Sequence, residues 1–128
     1  MSALNKLLEI LELNRKLDPF YEETESKKVF DLLLGEIEEW RQEYEKWDNV
    51  ELEKEMWDVF WNLFLLMNKL EDEGKITKEN VYEKIHNKML ARKSFLLEWR
   101  KVDKEEAMKI WNDAKRSEWY EESRLWKN

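Results

Sequence analysis

The chain has 128 residues, 23 Lys plus Arg against 30 Asp plus Glu, and a net charge of −7. It is 42% hydrophobic with 8 Trp, which argues against disorder. The absence of Cys excludes disulfides, thiolate metal sites and cysteine nucleophiles. Two Gly and one Pro cannot punctuate a sandwich or barrel of short strands. A pI near 5.0 argues against nucleic-acid binding, which needs a basic surface.

The expected fold class is therefore all-α, in a single domain over residues 1–128. Leu4, Leu7, Leu8 and Leu11 mark the face of a first helix, which Asp18-Pro19 stops. Phe20 to Glu25 reads as a loop. A second helix runs from Ser26 to about Trp47, with Val29, Phe30, Leu33, Ile37, Trp40 and Tyr44 on its buried stripe. Asp48 and Glu51 form a capping-box pattern that opens a third helix, ending near Glu73-Gly74. Thr77 reads as the N-cap of a fourth helix with Val81, Ile85 and Met89 on its apolar face. A fifth starts after Asp103 with Ala107, Ile110, Trp111 and Ala114 facing inward. The tail from Glu118 to Asn128, with Trp119 and Trp126, either extends that helix or packs on a partner chain.

The most apolar stretch, Met56 to Met67, is too short to span a bilayer, and the N-terminus lacks the apolar region of a signal peptide. No membrane partner and a cytoplasmic location are expected. That stretch is apolar almost all round its helix, so it should be buried on every side. A bundle of about five helices cannot surround it alone, so homo-oligomerisation, most simply a dimer, is expected to complete the core.

Glu36 and Glu39 share a face of the second helix, and Glu55 and Asp58 share one of the third. Asn62 extends the latter face by a turn as a possible further polar contact. Two helices joined by a short turn bring the four carboxylates into one small volume. Such a cluster either keeps protons or takes a cation, and an all-oxygen set favours Mg²⁺ or Mn²⁺. Acids spaced by three also occur at Glu9/Glu12, Glu22/Glu25, Asp103/Glu106 and Glu118/Glu121, where a solvated helix face suffices. Asp58 stands apart because it interrupts the apolar stretch, where an acid calls for a partner.

The order Glu36-Ile37-Glu38-Glu39, fifteen intervening residues, then Glu55-Met56-Trp57-Asp58 resembles the MazG nucleoside triphosphate pyrophosphohydrolases of the all-α NTP pyrophosphatase superfamily. Asn87-Lys88-Met89-Leu90-Ala91-Arg92-Lys93 is similar to the basic segment of that family, and Asp103 to Glu118 to its last helix. The sequence departs from many members at Trp57, where a small residue is common, and at Ser94-Phe95, where Pro-His is common. These changes spare the acidic motif and bear on substrate choice.

The resemblance implies hydrolysis of a nucleoside triphosphate between its α and β phosphates, giving a monophosphate and pyrophosphate. It implies that Glu36, Glu39, Glu55 and Asp58 hold Mg²⁺, and that Glu36 or Glu39 also handles the attacking water. Lys88, Arg92 and Lys93 would bind the phosphates. Phe20, Tyr21, Trp40, Trp57 and Trp61 are candidates for a base-stacking platform. Two other classes compete: a helical interaction module without catalysis, and a di-metal carboxylate protein of ferritin-like logic. Glu83-Lys84-Ile85-His86 offers the latter one Glu-x-x-His, where two are usual.

Overall fold

The computed structural model describes residues 1–126, apart from the side chains of 122–126. The described residues form six α-helices, with no strand: α1 (Ala3–Leu17), α2 (Pro19–Glu23), α3 (Ser26–Glu45), α4 (Asn49–Asp72), α5 (Lys78–Arg92) and α6 (Lys104–Trp126). A single 3₁₀ turn, Ser94–Leu96, follows α5. The all-α expectation holds, and one helix more is present than expected. The tail extends α6, whereas the side chain of Trp126 lies outside the described residues. The chain divides into two compact units, residues 1–78 and the part from Glu79 onward.

In the first unit, short-range chemistry sets the helix ends. The Ser2 hydroxyl accepts from Asn5 N at 3.1 Å and opens α1. Asp18 both ends α1 and caps α2, its Oδ1 accepting from Phe20 N at 3.1 Å. Pro19 then sits at the first helical position, where its missing N–H costs nothing. The segment expected to be a loop after Asp18 thus begins as a short helix. Asp48 caps α4 through Val50 N and Glu51 N. Gly74, at φ 75°, follows the end of α4.

Helices α3 and α4 are joined by only three residues and pack as an antiparallel hairpin. Tyr21, Val29, Leu33, Leu65 and Leu66 form the buried core, with Val59, Trp61 and Leu70 packed against it. The expected α3 stripe is only partly buried. Phe30 (50%), Ile37 (42%) and Tyr44 (63%) are exposed, because they lie around the helix from the Val29–Leu33 line that α4 covers. On α4, Met56, Trp57 and Leu63 are likewise exposed, against the expectation of a helix buried on every side.

A polar cluster closes the far end of α4. Arg15 donates to both Glu71 (3.1 Å) and Asp72 (3.0 Å from Nε), and the Tyr21 hydroxyl donates to Asp72. Lys69 lies 4.3 Å from the centre of the Tyr21 ring. Ser26 donates from its hydroxyl and backbone N–H to Glu73.

In the second unit, Asp103 Oδ1 accepts from Glu106 N at 2.8 Å and starts α6 as expected. Ala107, Ile110, Trp111 and Ala114 are half-buried, but Ile85 of α5 is exposed. Arg92 pairs with Glu118 at 2.8 Å, and Arg100 with Glu98 and Glu106.

Candidate functional site

The α3–α4 hairpin carries the chemistry of the first unit. Glu36 and Glu39 lie one helical turn apart on α3, and Glu55 comes from the early turns of α4. One carboxylate oxygen from each lies within 4.8 Å of the other two. Glu36 and Glu55 are half-buried and Glu39 is exposed, so the cluster sits at a wall of the hairpin and opens outward.

Two oxygens in this cluster have unusual surroundings. Glu36 Oε2 and Glu55 Oε2 are both shielded from solvent, and neither has a hydrogen-bond donor. A carboxylate oxygen shielded from water and left without a donor is unfavourable while it carries charge. Burial pushes the Glu36 carboxyl up to about 7, reinforced by the charges of Glu39, Asp58 and Glu55 and by a hydrogen bond with Glu39. The Glu55 carboxyl is raised for the same reasons: burial first, then the charges of Glu39 and Asp58 and a hydrogen bond with Glu39, with Glu43 adding to it. Either protons or a cation can relieve this cluster. Oxygen-only donors fit a hard divalent ion, and the orphaned oxygens supply free lone pairs for one.

Three of the four expected acids are thus gathered. Asp58, expected from its apolar neighbours to be buried, is exposed, and it lies outside the gathered trio. Its neighbours Met56 and Trp57 are exposed as well. Asp58 still acts on the site, since its charge raises both Glu36 and Glu55. Asn62 Nδ2 donates to the Asp58 carbonyl at 2.8 Å, which engages its amide along α4. Glu43 is an acid the spacing argument passed over. It lies four residues after Glu39 and seven after Glu36, so continuing the same helical face would have found it.

Among the stacking candidates, Tyr21 belongs to the core and is hydrogen-bonded to Asp72, which removes it from a platform. Trp57 is exposed and, with Leu7, Met56, Phe60 and Trp61, lines a hollow of about 270 Å³. Trp40 is half-buried with its indole N–H unpartnered, and Phe20 is exposed.

In the second unit, Lys88 and Lys93 are exposed and Arg92 is half-buried. Arg92 is held by Glu118 and by the Trp111 ring, whose centre lies 4.8 Å from its Cζ. The Glu118 partnership could not be read from sequence, because the residues are 26 apart on different helices. Hydrogen bonds from Arg92 hold the Glu118 carboxyl below its ordinary range. His86 is exposed beside Asn87, and the gathered acids include no histidine, which leaves the ferritin-like alternative without its ligand set among the described residues.

Residues 24–96 match the model of the MazG nucleotide pyrophosphohydrolase domain. That match spans more than half of the chain, which therefore belongs to the MazG family. The fold agrees with a solved structure, the mazG-related protein from Thermotoga maritima, with a TM-score of 0.82 and 30% identity. The similarity covers 88% of this chain and 98% of that one. No curated protein matches the sequence. No helix among the described residues is long and apolar enough to cross a membrane.

Proposed function

We propose that residues 1–128 form one Mg²⁺-dependent nucleoside triphosphate pyrophosphohydrolase, releasing a nucleoside monophosphate and pyrophosphate. The observation that carries this reading is the convergence of Glu36, Glu39 and Glu55, with two buried oxygens lacking donors, inside a MazG domain. Glu36, Glu39 and Glu55 would hold the ion, with Asp58 as a fourth acid at the rim. Mg²⁺, or Mn²⁺ in its place, would supply charge neutralisation to the phosphate oxygens.

The protein groups have separate tasks. Glu36 or Glu39 orients the attacking water and accepts its proton. The water oxygen bonds to one phosphorus flanking the α–β bridge as that phosphorus loses its bond to the bridging oxygen. The bridging oxygen departs with the other fragment, so that monophosphate and pyrophosphate separate. Lys88, Arg92 and Lys93 bind phosphate oxygens. Asn62 offers a further polar contact one turn beyond Asp58, its amide donating to the Asp58 carbonyl at 2.8 Å.

The exposed apolar side chains of α3 and α4 favour a homodimer as the working form, and the location is cytoplasmic. The test is a panel of nucleotides incubated with Mg²⁺ or Mn²⁺ and scored for products. Monophosphate with pyrophosphate supports the proposal. Orthophosphate as the product overturns the cleavage position, and inertness toward the whole panel favours an interaction module.

A further inference from the structure

Arg92 ends α5 with its side chain only 12% exposed. A guanidinium has two N–H edges and two flat faces, and a fixed partner on either kind of surface limits its rotation. Glu118 takes the edge made by Nε and Nη2. Nη2 donates to Oε2 at 2.8 Å, and Nε lies 3.3 and 3.4 Å from the two carboxylate oxygens. Trp111 supplies a second contact, with Cζ lying over its ring at 4.8 Å from the centre. Trp111 and Glu118 are seven residues apart on α6, two turns along one side of the helix, so one rigid element supplies both restraints. Nη1 is the end of the guanidinium that Glu118 leaves uncommitted.

The local charge does not balance. Lys88, Arg92 and Lys93 fall within six consecutive positions, and Lys93 Nζ lies 5.8 Å from the same Trp111 ring. Glu118 offsets one of these three cations, and the Lys88 charge acts on it as well. A cationic surplus around one fixed arginine is a receptor for an anion with several charges.

We propose that Glu118 is a positioning residue, which with Trp111 holds Arg92 so that its Nη1 edge meets a phosphate of the substrate. This rests on the reading that Arg92 contacts the triphosphate. Glu118 itself touches no substrate and acts through the arginine.

The experiment compares wild type, E118A, E118Q, R92K and the E118A/R92K pair. Two readouts are used: KM and kcat for pyrophosphate release, and calorimetric affinity for inorganic tripolyphosphate. E118A should raise KM and weaken tripolyphosphate by about tenfold, with kcat changed much less. E118Q keeps one acceptor for the guanidinium and should fall between E118A and wild type. R92K should resemble E118A, and E118A should add little on the R92K background. A purely structural ion pair would instead lower Tm and leave both KM and affinity near wild type. Unchanged or tighter tripolyphosphate affinity in folded E118A, the latter being what loss of a neighbouring negative charge alone would give, overturns the positioning role. Absence of hydrolysis by wild type strikes the proposed activity, and the tripolyphosphate arm still decides the role of Glu118.

Discussion

The Tyr21 hydroxyl donates to Asp72 Oδ2 at 2.5 Å, tying α2 to the last turn of α4 across 51 positions of sequence. Asp72 also accepts from Arg15, so one carboxylate joins three helices. Y21F keeps the buried ring and removes only this donor. It should cost about 1 kcal/mol, the usual net worth of one such bond. Urea denaturation at neutral pH measures it, and an unchanged midpoint would mean that Arg15 alone satisfies Asp72.

The same cluster sets an acid limit. Burial works to raise the Asp72 carboxyl, but the hydrogen bonds from Arg15 and Tyr21 and the charge of Arg15 together hold it below its ordinary value. Glu71 is held low by the Lys78 backbone N–H and by Arg15, and Glu73 by Lys75 and Ser26. Depressed carboxyls contribute stability that is present above their unfolded values, near pH 4, and lost as pH falls through the lower folded values. Wild type and D72N should therefore differ most at pH 7 and converge toward pH 3. A constant gap across that range would remove Asp72 ionisation from the account.

E36Q exchanges a carboxyl raised to about 7, and so only partly ionised at neutral pH, for a neutral side chain of the same shape in a crowded anionic cluster. Without divalent ions, E36Q should be more stable than wild type at neutral pH, because repulsion from Glu39, Glu55 and Asp58 is relieved. With Mg²⁺ the order should reverse. Wild type gains about 2.7 kcal/mol at one hundred times its dissociation constant, and E36Q gains much less. Thermal melts with EDTA and with Mg²⁺ give both values. An equal Mg²⁺ shift in the two proteins would place the ion elsewhere.

How far the sequence alone leads depends on the range of each interaction. The caps at Asp48 and Asp103 are legible because donor and acceptor lie within three residues. The pairing of Glu36 with Glu39 is legible for the same reason, and the hairpin adds Glu55. Asp18-Pro19 misleads because one dipeptide both ends α1 and begins α2. Asp58 misleads because apolar neighbours imply burial only where something packs on them, and Met56 and Trp57 are exposed. The orphaned oxygens of Glu36 and Glu55, like the Arg92–Glu118 pair, depend on how separate helices approach, which no local pattern encodes.

Trp47 adopts φ 59° just after α3, with its ring stacked on Tyr44 at 6.3 Å and 85% of the residue exposed. A left-handed backbone costs a side-chain-bearing residue about 1–2 kcal/mol, and little packing offsets it here. W47G should therefore stabilise the protein by about 1 kcal/mol in chemical denaturation. Destabilisation instead would show that the Tyr44 stack outweighs the strain.

Gly35 lies inside α3, and an added Cβ would meet nothing within 4 Å. G35A should raise stability by about 0.5–1 kcal/mol through helix propensity alone. A loss of stability would mean that another surface packs closely over this point.

Gly74 has the same empty surroundings, yet its φ is +75°. Volume therefore places no limit on either glycine, and backbone handedness constrains only Gly74. The chain thus contains its own matched control. One methyl group added at each of its two glycines meets no neighbour, yet should move stability in opposite directions. Measured side by side, the pair separates the chirality of the backbone from the crowding of the fold.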